Sequence, residues 1–159
     1  MSSPLLLATA LELLSNLVPI RPLCQGLKRP WAGPDHKALT LSSHEEVKAF
    51  WEAHPDANVG ACLVPITHSP LVVVDIDICD VPEEGREEVW RLLATLGVST
   101  KDKVWGQQTG RNNYQVFYWA LNLDVPLRHT NAGGLHIDLL SNGYVVTAPS
   151  NTSAEPPKR

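Results

Sequence analysis

Leu71-Val72-Val73-Val74-Asp75-Ile76-Asp77-Ile78 is the densest run of β-branched residues in the chain, and it predicts a buried strand over residues 71–78. Strand side chains alternate, so Val74 and Ile76 go to one face while Asp75 and Asp77 go to the other. Two carboxylates about 7 Å apart along a strand repel each other, and placing them at the mouth of a buried strand is costly unless a cation compensates. The plainer reading is that both acids end the strand in solvent. A third acid bears on the choice. Asp138 stands in Leu135-His136-Ile137-Asp138-Leu139, a second apolar, strand-like segment in which aspartate is disfavoured and wants a partner. Three aspartates offered by two strands form the ligand set of a site where Mg2+ or Mn2+ holds a nucleotide and stabilises the attacking and leaving oxygens. At this level the nearness of Asp138 to the pair is an assumption.

The flanking segments supply the rest of the architecture. Residues 4–16 place Leu5, Leu6, Ala8, Leu11, Leu13 and Leu14 mostly on one side of a helix. Residues 18–23 predict a short extended piece, held to a sheet edge by Pro19 and Pro22, neither of which can donate to a ladder. A second helix is announced twice, because Ser42 with Glu45 and Ser43 with Glu46 both satisfy the Ser-x-x-Glu box ahead of Val47, Phe50 and Trp51. A strand over 58–64 follows. Pro82 opens an acidic-first helix whose buried stripe is Val89, Leu92, Leu93 and Leu96. Strands are then expected over 104–107, 114–119, 135–139 and 144–148, the last two joined as a hairpin through Asn142-Gly143. This order predicts an α+β fold with a mixed or antiparallel sheet. We expect one domain over residues 1–150 and a polar, unstructured tail over 151–159.

Composition narrows the function classes. With 43% hydrophobic and 19% charged residues the chain is neither disordered nor fibrous. At 159 residues it can bury roughly two thirds of its unfolded surface without a disulfide or metal staple. No apolar run approaches the ~20 residues of a membrane span. Lys+Arg 13 against Asp+Glu 17 gives a net charge of −4, which provides no global basic field, so contact with nucleic acid must come from local clusters. Cys24, Cys62 and Cys79 are odd in number and lack metal spacing, which suits a reducing cytoplasm. The N-terminal MSSPLLLATALELL lacks a basic start and reads as a helix of the mature fold.

Six segments stand in an informative order: Leu27-Lys28-Arg29-Pro30, Asp56-Ala57-Asn58-Val59-Gly60, Val72 to Asp77, Thr109-Gly110-Arg111-Asn112-Asn113-Tyr114-Gln115, His136-Ile137-Asp138, and Gly143-Tyr144-Val145-Val146-Thr147-Ala148-Pro149-Ser150. Together, over roughly residues 5–150, they resemble the prim-pol domain. That is the bifunctional DNA primase/polymerase N-terminal family of the archaeo-eukaryotic primase superfamily, found in plasmid, phage and other mobile-element replication proteins. The resemblance implies a sheet of the RNA-recognition-motif type carrying the active site, and metal-dependent joining of nucleoside triphosphates on a single-stranded DNA template, with a replicative helicase in trans. Asp75 and Asp77 match the family's first acidic motif and Asp138 its third, so they would be the catalytic metal ligands for Mg2+ or Mn2+.

The second motif of the family ends in a phosphate-contacting histidine, and this sequence departs from it by carrying Gln115. Glutamine can donate a neutral hydrogen bond but no positive charge and no proton. Arg111 is the candidate replacement for the missing charge, and Asn113, Gln115 and the basic-loop Lys28 complete the nucleotide-binding set. Trp31, Trp105, Tyr114 and Tyr118 offer rings on which bases could stack, whereas Trp51 and Trp90 take core positions on helices. Lys101, Lys103, and Arg128 near His129 and Asn131, are further basic candidates. Family members often continue beyond the Ala148-Pro149-Ser150 segment, so a shortened C-terminus is expected here. Two other functions use the same residues: a nucleic-acid or nucleotide-binding module that has lost activity, and a metal-dependent phosphodiesterase.

Overall fold

The computed structural model describes residues 4–33, 35–63, 71–98, 106–109, 112–119, 128–129 and 134–152. Arg111, Lys101, Lys103, Trp105, Asn131 and the stretch 153–159 lie outside the described residues. The fold is α+β, and every described strand pair is antiparallel. The chain divides into two compact units, Met1–His68 with Gly143–Arg159, and Ser69–Asn142.

The first unit contains helix α1 (Pro4–Ser15), strand β1 (Ile20–Leu23), helix α2 (His44–Ala53), strand β2 (Asn58–Cys62) and, from the far end of the chain, β8 (Tyr144–Val146). α1 buries Leu6, Ala10, Leu13 and Leu14, a stripe at i, i+4, i+7 and i+8, while Leu5 stays exposed. The expected edge strand is found, with β1 lying outermost in the order β1-β2-β8. α2 begins with a capping box in which Ser43 Oγ accepts from the Glu46 N–H at 3.2 Å and Glu46 Oε2 accepts from the Ser43 N–H at 3.1 Å. Trp51 is buried in this unit and its indole N–H donates to the Ala57 carbonyl at 3.1 Å. The central strand β2 is buried throughout. Asn58 and Asn151 are tied to one another, Asn58 Nδ2 donating to the Asn151 carbonyl at 2.6 Å and the Asn151 N–H donating to Asn58 Oδ1 at 3.1 Å.

The second unit contains β3 (Leu71–Ile76), helix α3 (Glu83–Thr95), β4 (Gly106–Gln108), β5 (Tyr114–Trp119), β6 (Arg128–His129) and β7 (Ile137–Leu140). Its sheet runs β4-β5-β3-β7-β6, with β3 in the centre. Val74 and Ile76 of β3, Val116 of β5 and Ile137 of β7 share a core with Val89 and Leu93 of α3. The expected α3 stripe is narrower in fact, since Leu92 and Leu96 are exposed. Trp90 packs against this core, edge-on to Tyr114 at 5.4 Å between centroids.

The hairpin expected through Asn142-Gly143 does not form. β7 belongs to the five-stranded sheet and β8 pairs with β2 in the three-stranded one. The turn chemistry itself is real, for Gly143 has φ 82°, a conformation that favours glycine. Its carbonyl accepts from the Leu63 N–H at 3.0 Å, so the turn hands the chain from one sheet to another instead of folding it back on itself.

Candidate active site

The face of the five-stranded sheet opposite Val74 and Ile76 carries Asp75, half-buried one residue before β3 ends. Asp75 stands directly opposite Gln115 on β5 and directly opposite Asp138 on β7. Gln115 in turn stands opposite Gln107 on β4. Opposed residues of antiparallel strands share a face, with Cβ atoms about 4.5–5.5 Å apart. Gln107, Gln115, Asp75 and Asp138 therefore make one polar row across four strands, and two like charges meet in it. Such a pair is destabilising on its own and gains from a compensating cation. Gly106 helps to bring β4 in, since a Cβ there would lie 2.8 Å from the Gln115 carbonyl oxygen.

Asp77 does not follow the expected alternation. β3 stops at Ile76, and Asp77 takes φ −82° and ψ 57° as it leads into a short 3-10 turn over Ile78–Asp80. Its N–H still donates to the His136 carbonyl at 2.9 Å, which ties it to the residue preceding β7. The direction of its carboxylate is set by a neighbour and not by the pleat, because Asn113 Nδ2 donates to Asp77 Oδ1 at 2.6 Å. His136 itself has φ 55°, an uncommon conformation for a residue with a Cβ.

The remaining candidates divide. Gln115 is only 8% exposed and its Oε1 accepts from Gln107 Nε2, so it is not the solvated strand residue that glutamine ordinarily is. Asn113 is 4% exposed, with its amide engaged at both ends inside the protein. Lys28 is exposed and belongs to the first unit, where its carbonyl accepts from the Tyr144 hydroxyl at 2.8 Å. The rings of Trp31 and His54 lie 4.4 Å apart, and Trp31 meets Phe50 edge-on at 5.5 Å. Gln107 and Cys79 enter the site without having been given a site role in the sequence, and His136, quoted there only within the His136-Ile137-Asp138 segment, enters through its carbonyl. A register count back through the 109–113 turn pairs Gln107 with Gln115, whereas nothing local in the sequence marks the backbone roles of the other two.

Among the described residues no three His, Cys, Asp or Glu side chains gather closely enough to enclose a metal ion. Mg2+, however, is commonly bound through one or two carboxylates plus substrate phosphates. The opposed pair Asp75 and Asp138 fits that requirement, being hard oxygen donors whose mutual repulsion a cation would relieve.

A family model, bifunctional DNA primase/polymerase, N-terminal, matches residues 10–158. The chain belongs to this prim-pol family. The match spans nearly the whole prim-pol domain described above, including both units and all three aspartates. No curated protein and no solved structure matches this prim-pol chain. No described helix is long and apolar enough to cross a membrane.

Proposed function

We propose that this prim-pol domain is a template-dependent nucleotidyltransferase, a DNA primase/polymerase of a plasmid, phage or other mobile-element replication system. Its five-stranded sheet serves as the platform of the archaeo-eukaryotic primase type. The observation that carries the reading is the register of Asp75 opposite Asp138, within a chain of this family. The opposed pair Asp75 and Asp138 would hold Mg2+ or Mn2+, with Asp77 the third ligand that the family resemblance implies. A divalent cation bound there offsets the charge that builds on the attacking and leaving oxygens. The chain's own side chains bind and orient the reactants. Gln115 donates a neutral hydrogen bond to the polyphosphate, Arg111 contributes a bidentate charged contact, and Lys28 meets phosphate or template. A primer 3′-hydroxyl, or a first nucleotide in priming, attacks the α-phosphate, and pyrophosphate leaves. The template is single-stranded DNA, the setting is the cytoplasm, and a helicase acts in trans.

Incorporation of nucleotide on a primed single strand in Mn2+ tests the reading. Asp75→Ala and Asp138→Ala should each abolish incorporation while leaving the fold intact by circular dichroism, and unchanged incorporation in either variant defeats the assignment.

One observation supports a second reading. The family's phosphate-contacting histidine is replaced by a buried Gln115 already bonded to Gln107, as would suit a nucleotide-binding module without catalysis.

A further inference from the structure

Arg21 on β1, Gly60 on β2 and Val146 on β8 stand opposite one another across the three-stranded sheet, with Tyr144 opposite Cys62 two residues further along. Residues two apart on a strand share a face. Arg21, Gly60, Cys62 and Tyr144 therefore lie on one side, and the buried Ile20, Val59, Ala61 and Val145 on the other. Arg21 belongs to one edge strand, yet its Cζ lies 5.7 Å from the ring centroid of Tyr144 on the opposite edge. Its side chain crosses β2 to get there, over two strand spacings or about 10 Å. Gly60 keeps the way open, since a Cβ there would lie 3.4 Å from Arg21 Cβ and 2.9 Å from the Arg21 carbonyl oxygen.

A cation over a ring face is favoured, but this one lacks a counter-ion. Arg21 Nη2 donates to Thr40 Oγ1 at 2.8 Å, and its Nε is buried with no hydrogen-bond partner among the described residues. The ion pairs among those residues join Lys37 to Asp35 and Arg91 to Glu87, and include neither Arg21 nor Arg29. Two more cationic residues adjoin the same tyrosine, because the Tyr144 hydroxyl donates to the Lys28 carbonyl at 2.8 Å. The carbonyls on either side are held as well, that of Leu27 by Asn58 Nδ2 at 3.1 Å and that of Arg29 by the Cys24 N–H at 2.8 Å. Lysine and arginine in loops are ordinarily just solvated. Here three successive carbonyls are fastened while Lys28 and Arg29 stand exposed.

We propose that Arg21, Lys28 and Arg29, arrayed about Tyr144, bind the phosphodiester backbone of single-stranded nucleic acid. The cationic residues are strung along the tyrosine, the guanidinium over its ring and the loop beyond its hydroxyl, which suits successive phosphates of a strand better than one phosphate group. A net charge of −4 gives no general attraction for a polyanion, so a local cluster has to supply it in a chain of the DNA primase/polymerase family. The site builds on the phosphate or template contact given to Lys28 above. It consists of residues of the first unit alone and uses none of the three aspartates.

The test is fluorescence anisotropy of a labelled oligo(dT) strand with the full chain in EDTA, repeated over a series of salt concentrations. Working without metal keeps the result independent of the cation reading. Each phosphate contact on a single strand contributes about 0.7 to the slope of log K against log salt. Arg21→Gln should lower the slope by about 0.7, the combined Lys28→Gln, Arg29→Gln variant should lower it by about 1.4, and Arg21→Lys should restore it. Mixed-sequence strands should lose as much, because backbone contacts carry no sequence information. Wild-type affinity and slope in the combined variant overturn the proposal, as does a loss confined to one sequence. A nucleoside triphosphate at matched ionic strength should leave the strand bound. If it displaces the strand, and itself binds the combined variant more weakly than wild type, these residues serve the triphosphate and the proposal is likewise overturned. Should Arg21→Gln fail to fold, the combined variant, altered only at exposed side chains, decides alone.

Discussion

Gln115 is the side chain on which the two functional readings part. It lies opposite Asp75 in the ladder, buried, and linked through its carbonyl oxygen to Gln107 on the edge strand. A neutral imidazole at that position could still accept from Gln107 through one nitrogen; protonated, it donates through both nitrogens, gives up that acceptor and adds what the amide lacks, a charge and a transferable proton. In a weakened enzyme Gln115→His should raise incorporation on the order of 10²-fold, the lower range for a positioned proton donor. A variant that binds nucleotide but incorporates no faster than the parent would instead favour the binding module. At this scale the sequence was partly legible. Alternation along Leu71 to Ile76 correctly separates Asp75 from Val74 and Ile76. It could not supply the register that sets Asp75 against Asp138, because pairing between strands some 60 residues apart, 138 − 75 = 63, is decided by tertiary packing. Nor could it aim Asp77, whose direction comes from a turn and an amide on another strand.

Among the elements, α2 is the one most fully written in its local sequence. Two capping boxes overlap at its start, and Ser43 is the N-cap that forms, while Glu46 also accepts from the Ser42 N–H at 2.8 Å. Both serines therefore contribute, one through its hydroxyl and both through their amides. Ser43→Ala should cost about 1 kcal/mol of stability in urea unfolding. The same bonds hold the Glu46 carboxyl below its ordinary value of 4.5, chiefly through the Ser42 N–H; partial burial opposes this as the next largest effect, and the two Ser43 bonds act in the same sense as the first. A folded-state value lowered in this way stabilises the native state above the unfolded value and loses that contribution as pH falls through the folded one. The stability difference between wild type and Glu46→Gln should accordingly be present at neutral pH and shrink below pH 4.5; a difference that stays constant across that window would show that the carboxylate charge plays no part. Asn142-Gly143 illustrates the opposite case. Its composition specifies a positive-φ turn correctly, yet a turn signal carries no information about which strand the outgoing segment joins, and Tyr144–Val146 finds β2.

For the molecule as a whole, the net charge of −4 makes the acidic row more demanding of a cation than it would be in a basic protein. Periodicity in the sequence identifies apolar faces but not how many sheets they build, so the division into two units, with the N-terminal and C-terminal segments brought into one of them, becomes apparent only in the fold. All three aspartates fall in the other, Ser69–Asn142. A ligand that binds only the native state stabilises it by mass action, by about 2.7 kcal/mol at a hundredfold excess over Kd. In a chain of this size that corresponds to a rise in Tm of roughly 5–10 °C. Mn2+ with a nucleoside triphosphate should therefore raise Tm by that amount, Mn2+ alone by less, and the triphosphate without metal hardly at all, because the polyphosphate completes a coordination shell that two carboxylates only begin. If the units melt separately, the shift belongs to the transition of Ser69–Asn142. The combined Asp75→Ala, Asp138→Ala variant should show no shift under any of these conditions. An undiminished Mn2+ and triphosphate shift in that variant would mean that the ligand is held elsewhere, and that the opposed aspartates answer some structural need other than a cation.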